Sequence, residues 1–288
     1  MDDVRLLLRL MLQALATSQG DLRELKTASF TLAACTLFLI GQHVAPAEAA
    51  GLIRRLPPDG TWSRFALEVS RIDKEGDISI LATGSCTVRS VGRQVREAGA
   101  LRRIEFEFRV DRKNQQEFVE VFSVLIPESR LVGDDDPTRF IEEAWQKMPN
   151  ERHPGAVPLR NLDHLKNALL SWVAHGRLED AKTLAVVTVH TKLGDVECAG
   201  VAGSRVIGHD GVQDHYRYVA RLAPVAPFGV VRLQSELRRQ LSGGEWSGTV
   251  LRRTFTLAES GQAARPAIPE ADGTGDPLPA THRTREER

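Results

Sequence analysis

Residues 103–110 read RIEFEFRV, and this strict alternation decides the fold. Successive side chains of an extended strand point to opposite faces. Ile104, Phe106, Phe108 and Val110 therefore share one face, and Arg103, Glu105, Glu107 and Arg109 the other. A helix would scatter the same residues around its circumference. The apolar set is expected to face a core and the charged set to face water.

Working outward, Ser63 to Val69 alternates in the same way, with Phe65, Leu67 and Val69 in phase. The turn Asp73-Lys74-Glu75-Gly76 joins it to an alternating strand from Asp77 to Val88, so the two form a hairpin. Phe118 to Ile126 is apolar on both faces except at Glu120 and stops at Pro127, the pattern of a strand covered on both sides. A second run of strands is expected at Leu184 to His190, Val196 to Val201, Tyr216 to Leu222, Gly229 to Leu237 and Gly248 to Leu257. Glycine-bearing turns at 192–195 and 208–211 separate the first of these. Between the two runs, Asp136-Pro137-Thr138 offers caps for a helix from Arg139 to Lys147, with Phe140, Ala144 and Trp145 on its apolar stripe. Leu162, Leu165, Leu169, Trp172 and Val173 mark a second helix from Asn161 to His175, closed by Gly176.

The expected class is α+β: a curved antiparallel β-sheet, an incomplete barrel, with helices packed on its concave side. A single domain spans residues 50–258, with strand modules 61–127 and 184–257 and helices within 138–176. From Glu259 the chain turns to Pro, Gly, Ala, Thr and charge without a hydrophobic period, and residues 259–288 read as a disordered tail.

Before the domain, Thr27 to Gly41 is a charge-free apolar run, TASFTLAACTLFLIG, shorter than a bilayer span and preceded by Arg23 and Lys26. Ala47 and Ala49 form the small-x-small pair of a signal-peptidase site. Residues 1–49 thus read as an export signal cleaved after Ala49, which places the protein outside the cytoplasm. Two other readings stay open: a lipid anchor through Cys35 in LAAC, and an apolar helix in a cytoplasmic core. Residues 1–20 have no assigned role.

The 288 residues are 42% apolar and 26% charged with a formal net charge of zero, and removing the leader leaves the balance near neutral. A nucleic-acid partner is not expected, since phosphate neutralisation needs clustered basic excess. With Cys35 removed, Cys86 and Cys198 are left, which permits one disulfide; the other reading of Cys86 is a small buried hydrophobe. No zinc-ligand spacing, G-x-S-x-G elbow or phosphate loop occurs, and no cofactor is called for. Asp134-Asp135-Asp136 reads as a helix cap, and His209, Asp210, Asp214 and His215 as a solvated turn, in preference to cation sites.

Leu193-Gly194-Asp195-Val196-Glu197-Cys198, then Tyr216 to Leu222, then Ala226-Pro227-Phe228-Gly229-Val230-Val231 resembles the strand and P-[FW]-G turn of exported bacterial LolA/LolB-like incomplete barrels. Ala223-Pro224-Val225 departs from the aromatic residue that often precedes the turn there. The resemblance implies a cavity for a lipid or lipoprotein and implies no catalytic residues.

Phe106, Phe108, Trp145 and Trp172 are the candidate lining of such a cavity; plain core would show the same spacing. The leading function is a non-enzymatic exported protein that binds an apolar or amphiphilic ligand, or an envelope partner, between sheet and helices, with peripheral membrane contact compatible with it. A structural or protein-interaction module is the rival, and an enzyme of unrecognised type comes third. N-terminal sequencing of the mature protein is expected to begin at Ala50; an intact Met1 would remove the export reading.

Overall fold

The computed structural model describes residues 49–112, 117–131, 137–147, 157–159, 162, 176–209, 211–241, 244 and 246–268. Thirteen strands follow in chain order. They are β1 (Ala49–Ala50), β2 (Trp62–Ile72), β3 (Ile78–Arg96), β4 (Gly99–Arg112), β5 (Phe118–Pro127), β6 (Glu143–Lys147) and β7 (Val157–Pro158). Then come β8 (Gly176–Arg177), β9 (Glu179–Thr191), β10 (Gly194–His209), β11 (Val212–Leu222), β12 (Val230–Leu241) and β13 (Val250–Gly261). Eleven of them form one curved, open antiparallel sheet in the order β7-β6-β5-β4-β3-β2-β13-β12-β11-β10-β9. β1 and β8 pair separately.

Nearly every neighbour in this order is a neighbour in sequence, and several pairs, such as β2 with β3 and β9 with β10, are joined by short turns. Asp73 shows how the first turn closes: its Oδ1 accepts the N–H groups of Glu75 (3.1 Å) and Asp77 (2.9 Å), and Gly76 supplies the positive φ. The exception to local pairing is β13 against β2, which runs in register from Val250↔Ile72 to Gly261↔Trp62. That pairing makes the two modules a single sheet.

Alternation then builds a continuous wall. Leu257, Phe65, Cys86 and Phe108 stand in one cross-strand row, and Leu233, Phe255, Leu67, Gly84 and Val110 in another. The side chains of both rows lie in one core cluster. Each buried Phe or Leu is worth about 2–3 kcal/mol relative to exposure. Gly84 is required where it stands, because a Cβ there would lie 1.9 Å from the carbonyl oxygen of Arg109. Ile78 and Ile80, in phase with this wall by simple alternation, are instead 61% and 59% exposed. A register shift between Val69 and Ser70 and the projecting end of the hairpin separate them from the core.

The α+β expectation is corrected to an essentially all-β chain. Among the described residues, helix amounts to one turn at Glu128–Leu131, a 3-10 turn at Pro137–Phe140 and the helical Leu162. The expected helix Arg139 to Lys147 does not form. Glu143–Lys147 is β6, paired with β5 from Val121↔Lys147 to Leu125↔Glu143. Its stripe was too short to stand as a helix, and the open backbone groups of β5 bind it as a strand. The second expected helix, from Asn161 to His175, lies outside the described residues apart from Leu162.

What meets the core where helices were expected is the stretch that follows Ala50. Leu52 and Ile53 are buried in the core cluster, and β1 lies beside β11. The Arg54 and Arg55 N–H groups donate to the Phe228 carbonyl (2.8 and 3.3 Å), and Arg55 Nε to the Pro227 carbonyl (2.8 Å). The Pro227-Phe228-Gly229 turn is thus the dock for this segment.

Two further expectations change. β13 continues to Gly261 and residues 262–268 remain placed, so the disordered tail does not begin at Glu259; residues 269–288 lie outside the described set. Cys86 and Cys198 are both buried free thiols, so the disulfide does not form. Burial pushes both thiols up, against the lowering effects of Arg89 on Cys86 and Arg221 on Cys198.

Leu52→Ala is expected to cost about 2–4 kcal/mol by the loss of a buried side chain. Urea unfolding measures it, and an unchanged midpoint would show that the segment around Leu52 does not close the core.

Candidate functional site

The sheet offers two distinct polar surfaces, one open and one covered. The open one lies at the β9 end, on the face opposite the core. Alternation there puts Arg217, Val219 and Arg221 of β11 beside Glu236, Gln234 and Arg232 of β12. On the other side Lys182 of β9 stands across from Ala202 of β10.

Two adjoining clefts follow from the strong coiling of these strands, each of about 380 Å³ and sharing Val219 and Gln234. The first is lined by Asp180 and Lys182 from β9, residues 202–204 from β10, and Arg217 and Glu236. The second is lined by residues 187–190 of β9 together with Val219, Arg221, Arg232 and Gln234. Cations outnumber carboxylates in this lining. Glu236 is already held by Arg252, whose Nη2 and Nε lie 2.7 and 2.9 Å from Oε1. Arg221 Nη1 donates to the Ala185 carbonyl at 2.8 Å. Lys182, Arg217 and Arg232 have no ion pair or side-chain hydrogen bond among the described residues. Val187, Val189, Val219 and Ala202 add apolar wall between the charges.

The covered surface lies on β3, β4, β5 and β6, and corrects a further expectation. The charged side of RIEFEFRV is not a solvated face: Arg103, Glu105 and Glu107 are 5%, 0% and 7% exposed, and of that set Arg109 alone is open. Glu107 is bound by Arg89 and, at 2.6 Å, by Arg109 Nε. Burial raises the Glu107 carboxyl, but the hydrogen bonds from the two guanidinium groups outweigh it and hold the group below its usual range. Glu105 accepts two successive backbone donors, Ala267 N–H at Oε2 (2.7 Å) and Ile268 N–H at Oε1 (3.1 Å). Burial still holds its carboxyl above the usual range, against those two bonds.

A third polar group is internal to the core wall. Asp214 takes a bidentate pair from Arg239 (2.8 and 2.9 Å), and Tyr216 and Tyr218 stack at 5.8 Å. Arg253 is buried close by, and desolvation lowers its guanidinium against the opposing effect of Tyr216. Asp214, read as part of a solvated turn, is therefore a buried ion-pair partner. Asp134, Asp135 and Asp136 lie outside the described residues.

Of the four candidate lining residues, the three described ones do not lie on one face of the sheet. Phe106 and Phe108 belong to the core wall, with Phe108 edge-on to Phe122 at 6.4 Å between centroids. Trp145 aligns with Ser123 and so with Glu105, on the opposite face, where Arg103 lies 4.9 Å over its ring. Trp172 is outside the described residues. Sequence reading passed over the open clefts, although Arg217-x-Val219-x-Arg221 and Arg232-x-Gln234-x-Glu236 carry the same alternation on the polar side.

No protein-family model matches the chain, and no curated protein sequence does. Three solved structures show a remote likeness. One is a protein described as exported with a YmcC-like fold from Bacteroides fragilis NCTC 9343: 10% identity, TM-score 0.32, over 73% of this chain and 99% of that one. Another is described as a lipoprotein from Parabacteroides distasonis ATCC 8503: 9% identity, TM-score 0.30, 74% and 99% covered. A third is a beta-barrel-like protein of the domain of unknown function DUF1849 from Brucella abortus: 12% identity, TM-score 0.23, 73% and 99% covered. At these TM-scores the fold and site of this chain rest on its own residues.

The depressed Glu107 carboxyl makes a signed prediction. A group whose folded-state pKa is lowered adds stability above its unfolded value, and that stability is lost as pH falls through the folded value. Acid should therefore destabilise the protein below about pH 4, the ordinary carboxylate range. Glu107→Gln, which cannot titrate, is expected to flatten that limb in urea unfolding between neutral and acid pH. An identical acid limb in the variant would assign the loss elsewhere.

Proposed function

We propose that this chain is an exported, non-catalytic binding protein whose two adjoining clefts hold an anionic amphiphile. The observation that carries the reading is the set of Lys182, Arg217 and Arg232, unpartnered among the described residues, arranged with Arg221 around Val187, Val189 and Val219. Arginine forks match carboxylate or phosphate oxygens, and the apolar wall suits an acyl or alkyl chain. This moves the ligand from the expected aromatic cavity to the opposite face of the sheet, since the core side is filled by its own Phe and Leu side chains. The export part of the reading rests on Thr27 to Gly41 and the Ala47–Ala49 pair.

Calorimetric titration with dodecyl phosphate, with dodecanol as the neutral control, tests it. The phosphate is expected to bind and the alcohol to bind far more weakly. Arg217→Ala combined with Arg232→Ala should weaken binding about tenfold or more, equivalent to at least ~1.4 kcal/mol. Added salt should weaken the wild-type complex further, because the cations are open to solvent. Equal affinity of the wild type and the double variant would defeat the proposal.

A further inference from the structure

The second polar surface has a different use. Residues 264–268 run from beside Gly60 to Glu105 of β4 and Lys147 of β6, bending at Ala267 and Ile268, away from the clefts. Four hydrogen bonds to its backbone hold it. The Ala264 N–H donates to the Gly60 carbonyl (2.7 Å), Glu105 receives the N–H groups of Ala267 and Ile268, and Lys147 Nζ reaches the Ala267 carbonyl at 3.5 Å. Only Ile268 is buried among residues 262–268. The turn into the segment passes through Ala263 at φ 60°, a conformation that costs a residue with a Cβ about 1 kcal/mol. The attachment is therefore built from backbone recognition and one side chain, with strain at its hinge.

The floor beneath also has unused capacity. Ser123 Oγ, on the strand position directly across from Glu105, and Arg89 Nη1 are buried with no hydrogen-bond partner among the described residues. Buried donors without partners carry a desolvation cost of about 1–3 kcal/mol each. A peptide with a better complement of acceptors would recover it.

We propose that this face is a peptide-binding groove whose resident occupant, the chain's own segment Ala264–Ile268, is a displaceable self-ligand. The partner it fits is a segment of another envelope protein that bends to present two successive backbone N–H groups to Glu105 and an apolar side chain to the Ile268 position. Proline ahead of the two donors, as Pro266 stands here, fixes one backbone angle before the bend and lowers the entropy cost of binding. The resident segment competes from an effective concentration in the millimolar range, so an incoming peptide binds weakly until that segment is loosened.

The test uses the full mature chain and a fluorescent peptide of its residues 262–271 added in trans, read by anisotropy. Ala267→Pro in the protein removes one of the two donors to Glu105 and is expected to raise affinity for the wild-type peptide at least tenfold. Adding Glu105→Ala to that variant should abolish the gain while circular dichroism still reports the sheet. A folded Ala267→Pro protein that binds no better than wild type, or a gain that survives Glu105→Ala, overturns the proposal. Native-state amide exchange on unmodified protein gives an independent reading if a variant fails to fold. The Ala267 and Ile268 amides should exchange together, at least a hundredfold faster than the ladder amides of β4. Equal protection would make the segment a permanent part of the core and overturn the proposal as well.

Discussion

The pairing of β13 with β2 is the constraint on which the rest depends. It joins residues near the two ends of the domain, Gly261 to Trp62 and Val250 to Ile72, whereas all other ladders in the large sheet connect nearer parts of the chain. Local hairpins form at low loop-closure cost, but this one requires the whole intervening chain to be arranged first. Once made, it aligns Leu257 with Phe65 and Phe255 with Leu67, and the alternation of both modules merges into one apolar wall. Without it there would be two sheets, each with an exposed edge and half a core.

The same pairing places the segment after Gly261 over the first module. A strand that ends beside Trp62 delivers its continuation to Gly60 and then to Glu105. The consequence is asymmetry between the two ends of the sheet. At β3–β6 both faces are buried, and charges on the second face are matched by guanidinium groups and backbone N–H donors because an unmatched buried carboxylate would be far too costly. At β9–β12 the second face is open, so Lys182, Arg217 and Arg232 remain solvated without partners among the described residues. One sheet thereby carries a desolvated charge network at one end and a basic cleft at the other.

Nine strands were legible from residues alone, and each is present, running further at one end or both, although β3, β12 and β13 begin slightly later than the pattern showed. The turns were legible for a similar reason: Gly76, Gly194 and Gly211 all adopt positive φ where the chain must reverse. Glu143–Lys147 was not, since so short a segment does not separate the two periods, and the choice was made by the unpaired backbone of β5. Nor was the burial of Glu105. Its neighbours in sequence are those of a solvated face, and the cover comes from Ala267 and Ile268, more than a hundred and sixty positions away. Trp145 illustrates the difficulty for the candidate site: as a helical residue it would join Phe106 and Phe108, and as a strand residue it stands on the other side of the sheet.

Sequence by itself determined the period-two pattern, the turn positions, the neutrality of the chain and the leader-like run at 27–41, because each is a local property of covalent order. Tertiary structure alone decided which polar face is covered, which is open, and that Cys86 and Cys198 stay apart as free thiols. The reason is physical: a charged residue on a strand is stable in water or against a matched partner, and only the packing of distant segments selects between the two. RIEFEFRV shows both halves of this. Its strand was readable at once, and the fate of its charges depended on where the end of the chain comes to lie.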